Sequence, residues 1–253
     1  MANLNLKRTV LYIALGTSWA LGNVSAVAAP FDTSSFPDPE VLVSQTKPSD
    51  NGPKQNMEST LVDIKAVDAP TLHSENGKIG IASEVRNGQG IILDSEGVIA
   101  TNRHIIGNAQ HIFVVLSGGK TFEANVLRNS QADLCLIKIN APFPLRAISL
   151  ADPSEIQTGS KVTAIANAGL NPQRVMGGQI IKIFTGKFSS DAELLEMDIT
   201  LKPGDSGGPI LNEEGSLLGL IMGKQISDPS KSYAIASNRI QQEYFKYRNS
   251  ILN

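Results

Sequence analysis

Ser206 stands among glycines in the string Lys202-Pro203-Gly204-Asp205-Ser206-Gly207-Gly208-Pro209, directly before the apolar run Pro209–Leu211. Glycine leaves the backbone free to turn its N–H groups toward a bound group. In that setting the amides of Gly204 and Ser206 can face the oxygen that gains negative charge when a carbonyl is attacked and becomes tetrahedral. A Gly-Ser-Gly cluster by itself describes a glycine-rich hairpin equally well. The eight-residue string is far more specific, and it favours a nucleophile for acyl transfer.

A serine hydroxyl attacks poorly unless a base takes its proton, so a histidine is required. The chain has three. His73 lies in a polar stretch and His111 opens a strand-like run, where a solvated or locally bonded ring is the simpler reading. His104 ends the run Val98-Ile99-Ala100-Thr101-Asn102-Arg103-His104, where a strand delivers the imidazole next to the apolar Ile105 and Ile106. The third requirement is a carboxylate that accepts the other ring N–H and fixes the tautomer. Asp133 fits, at the mouth of Leu134-Cys135-Leu136-Ile137-Lys138-Ile139, although a lone aspartate there also reads as a strand-end turn residue. Cys135 has no second cysteine to pair with and belongs to the core, and no metal site or organic cofactor is implied.

The elements that must hold these groups are short. Apolar runs at Ile91–Leu93, Val98–Ala100, Ile112–Leu116, Leu134–Ile139, Val162–Ala166, Ile180–Phe184, Pro209–Leu211 and Leu217–Met222 alternate with turn signals. Many short strands predict an all-β barrel or sandwich. Asp94-Ser95-Glu96-Gly97 and Asn212-Glu213-Glu214-Gly215 place glycine where a hairpin loop needs positive φ. At the end of the chain, Ile240, Tyr244, Tyr247 and Ile251 recur at three and four residues behind Ser237 or Asn238 as a cap, which predicts one amphipathic helix.

With 253 residues, 41% of them hydrophobic, the chain can bury a substantial core, and its formal charge of -2 comes with no basic run. Nucleic acid and anionic membranes therefore find no electrostatic footprint. Lys7 and Arg8 precede an apolar run from Val10 to Leu21 and the small residues Ala26-Val27-Ala28, which is the pattern of a secretory signal peptide over residues 1–28. No stable membrane span is expected once it is cleaved, and the mature protein is expected in the periplasm or outside the cell. Residues 29–76, rich in Pro, Ser, Asp and Asn, read as a flexible arm, and residues 77–253 as the folded domain.

The strings Gly88-Gln89-Gly90-Ile91-Ile92-Leu93, Thr101-Asn102-Arg103-His104, Asp133 to Lys138, Asp198 to Pro209 and Tyr233 to Asn238, in the order His, Asp, Ser, resemble the trypsin-like serine peptidases, and their flanks look most like the bacterial HtrA-type (Deg) branch. The resemblance covers about Gly88 to Asn238. It implies two six-stranded β-barrels of the chymotrypsin type with the triad between them, His104 and Asp133 from the first and Ser206 from the second. Protein or peptide substrates and hydrolysis through an acyl-enzyme follow from it, serving degradation of exported or misfolded proteins. The rival reading is a non-catalytic binding module on a protease scaffold. Neither reading fixes an oligomeric state.

The chain also departs from that branch. Fifteen residues follow Asn238, so regulation by a PDZ domain is not expected. Asp205 stands where the branch usually has Asn. In animal trypsin-like enzymes such an aspartate pairs with a newly cut N-terminus, which a cut at Lys78-Ile79 would supply; alternatively, its own loop or a lysine satisfies it. By similarity Thr200 falls at the base of the primary pocket, with Met222 and Ser232 as walls, and an uncharged base implies medium apolar side chains rather than Lys or Arg.

Overall fold

The computed structural model describes residues 59–75, 78–130, 132–166, 173–185, 193–224 and 228–252. The signal-peptide segment at residues 1–28 lies outside the described residues. Fourteen strands are present among those described. The first barrel uses β1 (Leu61–Val67), β4 (Val85–Ile92), β5 (Val98–Asn102), β6 (His111–Val115), β7 (Thr121–Asn129) and β8 (Leu134–Ile139), closed in the order β1-β4-β5-β8-β7-β6. The second uses β9 (Lys161–Ala166), β10 (Arg174–Thr185), β11 (Glu193–Met197), β12 (Pro209–Leu211), β13 (Leu217–Lys224) and β14 (Ser232–Ala236), closed as β10-β11-β14-β13-β12-β9. A separate two-stranded hairpin pairs β2 (Thr71–Glu75) with β3 (Lys78–Ala82). The expected pair of six-stranded barrels is therefore present. Closure leaves neither barrel a free strand edge.

The stretch read as an arm contributes to this architecture. Leu61–Val67 alternates inward and outward, buries Leu61, Val62, Ile64 and Ala66, and pairs with both β4 and β6 to close the first barrel. The folded domain thus starts well before residue 77. Lys65 and Asp63 make the segment look polar, yet they fall on the outward side of a period-two pattern that surrounding prolines and serines mask.

Three apolar cores hold the molecule together. One fills the first barrel around Ile64, Ile92, Ile99 and Ile137, and another fills the second around Ile180, Leu195, Ile210 and Ile221. The third lies between the barrels, joining Leu61, Ile91 and Leu136 from the first to Leu194, Leu220 and Ile235 from the second. Each fully buried Ile or Leu contributes about 1.5–3 kcal/mol, so this shared layer fixes how the barrels meet. Both expected hairpin turns form, with Gly97 at φ 95 and Gly215 at φ 82. Asp94 and Asn212 each turn a side-chain oxygen back onto backbone amides of their own turns.

Two helices complete the described fold, a four-residue turn α1 (Arg103–Ile106) and the terminal α2 (Ser237–Ser250), together with a 3-10 turn at Pro153–Glu155. Ile240 of α2 is buried in the inter-barrel core, with Tyr244 and Tyr247 packed against it. Two details differ from expectation. Ala236 is the N-cap residue and no side chain caps the helix, because Ser237 is itself fully buried as the first helical residue. Ile251 is 53% exposed at the C-cap, one step past the end of the apolar stripe. Although α2 follows the second barrel, it is fastened to the first: Glu243 pairs with Arg128 of β7, the Tyr244 hydroxyl donates to Asp94 Oδ2 at 2.8 Å, and Arg248 reaches Glu96 Oε2 at 2.7 Å. No helix among the described residues is long and apolar enough to cross a membrane.

Candidate active site

His104 is presented by α1, a single turn that begins where β5 ends. Ile105 and Ile106 are buried on its inner side, which leaves the His104 side chain 48% exposed on the outer side. Asp133 precedes β8 in the left-handed region, at φ 58, a conformation that a short polar side chain tolerates better than most. β5 and β8 pair antiparallel, with Asn102 opposite Leu134, so the end of one strand and the start of the other lie side by side.

Four hydrogen bonds then tie Asp133 to the segment Asn102–His104, two of them to His104 itself. The Asp133 carbonyl accepts from the Arg103 amide at 2.9 Å and from Asn102 Nδ2 at 3.4 Å. Its Oδ1 accepts the His104 amide at 2.9 Å, and its Oδ2 faces His104 Nδ1 at 2.8 Å. A carboxylate can only accept, so Nδ1 carries the proton and the neutral ring keeps a lone pair on Nε2. That leaves a hydrogen-bond acceptor on the ring nitrogen that does not face Asp133.

Ser206 precedes β12 of the second barrel and is tied to the first barrel through Gln89. Gly204 and Gly207, at φ 96 and 84, turn the chain on either side of it. The Ser206 carbonyl accepts the amide of Gln89 in β4 at 2.9 Å, and the Gln89 carbonyl accepts the Thr101 hydroxyl at 2.7 Å, three residues before His104. Gln89 thus links the serine loop to the strand that carries the histidine. The contact is close: a Cβ on Gly207 would lie 1.9 Å from the Gln89 carbonyl oxygen. The Ser206 hydroxyl donates to the Met222 carbonyl at 3.2 Å, and no hydrogen bond among the described residues joins it to His104. Among the described residues, the amides of Gly204 and Ser206 have no acceptor.

The pocket candidates differ in setting. Thr200 is exposed just after β11, Met222 is half-buried in β13, and Ser232 is fully buried at the start of β14 with its hydroxyl 3.5 Å from the Met197 carbonyl. His111 is locally bonded, with Nδ1 2.8 Å from Glu123 Oε1. Cys135 is fully buried, and burial pushes its thiol up to about 12.

Asp205 is buried, and its Oδ2 accepts the Lys202 amide at 2.6 Å and pairs with Arg174 at the start of β10. Its own loop does hold it, as one sequence reading expected, but the cation is Arg174 rather than a lysine or a new N-terminus. Neither Arg174 nor Gln89 was singled out from the sequence as a site residue. Gln89 carried a usable signal, a polar residue between two glycines at the head of an apolar run. Arg174 carried none, because its partner is 31 residues away.

Residues 88–220 match the trypsin-like peptidase domain family. The chain is 32% identical to Serine protease HTRA4 of Homo sapiens over 173 residues, 64% of this chain and 35% of that protein. It is 31% identical to Periplasmic serine endoprotease DegP of Escherichia coli (strain K12) over 163 residues, 61% of this chain and 34% of that protein. It therefore spans about a third of the length of these relatives. Among solved structures it is similar to an HtrA-type protease, an AlgW variant with a tripeptide, with a TM-score of 0.63 and 22% identity over 74% of this chain and 60% of that one.

Proposed function

The chain belongs to the trypsin-like peptidase family, and from that premise we propose that it is an exported serine endopeptidase acting on protein or peptide substrates. Ser206 is the nucleophile, His104 the general base and Asp133 the group that orients it. The observation that carries this reading is the double grip of Asp133 on His104, through the amide and through Nδ1, which holds the imidazole in the one tautomer a base requires.

The chemistry follows from the hydrogen bonds. A substrate carbonyl placed above Ser206 directs its oxygen at the free amides of Gly204 and Ser206. The Ser206 hydroxyl rotates from the Met222 carbonyl toward His104 Nε2, which takes the proton as Oγ attacks carbon. The tetrahedral intermediate collapses when Nε2 returns that proton to the leaving amine. Water repeats the sequence in the second half-reaction, and the acyl group leaves as a carboxylic acid while Oγ regains its proton. Asp133 stays ionised throughout and stabilises the imidazolium formed in each half.

Specificity rests on Thr200, Met222 and Ser232. With a neutral base to the pocket, medium apolar side chains are favoured over Lys or Arg. The similarity to DegP, a periplasmic serine endoprotease by name, supports export and endoproteolysis, and the role assigned here is degradation of exported or misfolded proteins.

One observation favours the second reading, a binding module without catalysis: the Ser206 hydroxyl is engaged by Met222. A fluorophosphonate separates the two. The enzyme is labelled at Ser206, and Ser206→Ala takes no label; an unlabelled wild-type protein, purified in mature form, would refute hydrolysis.

A further inference from the structure

Asp205 organises the loop that carries Ser206 through nearly every polar group it has. Its amide donates to the Lys202 carbonyl at 3.1 Å, its carbonyl accepts the Gly208 amide at 3.1 Å, and its Oδ2 accepts the Lys202 amide at 2.6 Å. The Asp205 side chain is 1% exposed, and a bare carboxylate at that depth is strongly disfavoured unless a cation accompanies it. Among the described residues, the cation that accompanies it is Arg174, anchored in the second barrel where β10 pairs with β9 opposite Ala166.

We infer that the pairing of half-buried Arg174 with buried Asp205 is the device that sets the oxyanion loop, so that Arg174 is a positioning residue for Ser206 and the site is assembled in the uncut chain. The inference rests on the hydrolase reading above and adds a residue to it. It also replaces the need for a new N-terminus, because the position that such a terminus would neutralise is already occupied.

The pair is incompletely satisfied. Asp205 Oδ1 and Arg174 Nε are both buried and have no partner among the described residues, so the guanidinium meets the carboxylate through Nη2 alone, on the oxygen that also accepts the Lys202 amide. Without it the carboxylate turns toward water. Gly204 and Gly207, both at positive φ, are the pivots that allow this, and Gly204 carries one of the two amides that the proposed mechanism assigns to the oxyanion. A guanidinium some thirty residues away would then control whether two backbone amides converge. It does so without touching substrate.

The test uses the mature full chain and two variants, Arg174→Gln and Arg174→Lys, each read by fluorophosphonate labelling rate, by kcat and KM on a peptide substrate, and by amide hydrogen exchange in residues 202–206. Arg174→Gln removes the charge and is expected to label about a hundredfold more slowly, as when an oxyanion donor is lost, with the change in kcat rather than KM and with faster exchange in the loop. Arg174→Lys keeps the charge on a shorter stem and is expected to lose about tenfold. A wild-type rate with unchanged loop exchange, in either variant that folds, overturns the inference. A wild-type chain that takes no label fails the hydrolase reading instead; loop exchange then decides the role of the pair, with unchanged protection counting against it.

Discussion

The amide of Gln89, in the first barrel, donates to the carbonyl of Ser206, in the second, at 2.9 Å. This single bond ties the loop that carries Ser206 to the strand pair that leads to His104, since the Gln89 carbonyl is itself held by Thr101. The neighbouring Gly207 is the residue that lets the chains approach so closely. Any side chain there meets the Gln89 backbone, and its φ of 84 is also unsuited to one. Gly207→Ala is therefore expected to push the loop away from β4, lowering the thermal midpoint and slowing fluorophosphonate labelling by roughly a hundredfold. Labelling at the wild-type rate would show that the contact does not align the site.

Asp133→Asn separates orientation from folding. Asparagine tolerates the left-handed conformation of this position as well as aspartate does, so the thermal midpoint is expected to move little. Its amide can still accept the His104 N–H, but it presents an NH2 group to one of the two nitrogens and no negative charge to the imidazolium. The comparable change in a Ser-His-Asp triad costs on the order of ten thousandfold in kcat, and the same scale is expected here. A loss below tenfold in a well-folded variant would remove Asp133 from the mechanism.

The candidate triad was legible because each member sits in a string whose neighbours have a fixed job: glycines around Ser206, buried isoleucines behind His104, an apolar strand after Asp133. The strands that could be read were those with continuous apolar runs. β7 was not, since Thr121–Asn129 buries only Ala124 and shows a polar face at most positions. β1 was hidden by its composition, although its period of two was present. Arg174 and its partner were out of reach for a different reason. A pair between distant segments leaves no local period, and only closure of the second barrel brings the two together.

An uncut chain should be active. The Lys78-Ile79 bond lies within the β2–β3 hairpin, with Lys78 opposite Glu75, and Asp205 already has its cation in Arg174. Lys78→Gln, which removes the basic residue a trypsin-like cut would need, is expected to keep the wild-type labelling rate and its intact mass by mass spectrometry. Activity that appears only after cleavage at this bond would assign the aspartate to a new terminus after all.

The fastening of α2 should make stability depend on acid. Burial pushes the Glu243 carboxyl upward, but hydrogen bonds from Arg128 and Lys246 and the charge of Arg239 outweigh it and hold the group below its ordinary 4.5. Asp68 is likewise held below its ordinary 3.8, chiefly by its hydrogen bond from Arg86. A carboxyl with a lowered folded value binds its proton more readily when unfolded, so unfolding takes up protons in acid. The stabilisation is complete above about pH 4.5 and fades as the pH falls through the lowered folded values. Glu243→Ala removes the Glu243 contribution and leaves Arg239 with a side chain 12% exposed and no carboxylate beside it among the described residues. It is expected to cost about 3 kcal/mol at neutral pH, the scale for stripping one partner from a buried pair. Denaturant unfolding from pH 7 to pH 3 checks both parts: the wild-type protein should lose stability over the acid range, and the variant should lose less because part of the loss is already present. Parallel curves for the two proteins would mean that Glu243 does not contribute to the acid response, and that α2 is held to the first barrel by Tyr244, Arg248 and apolar packing.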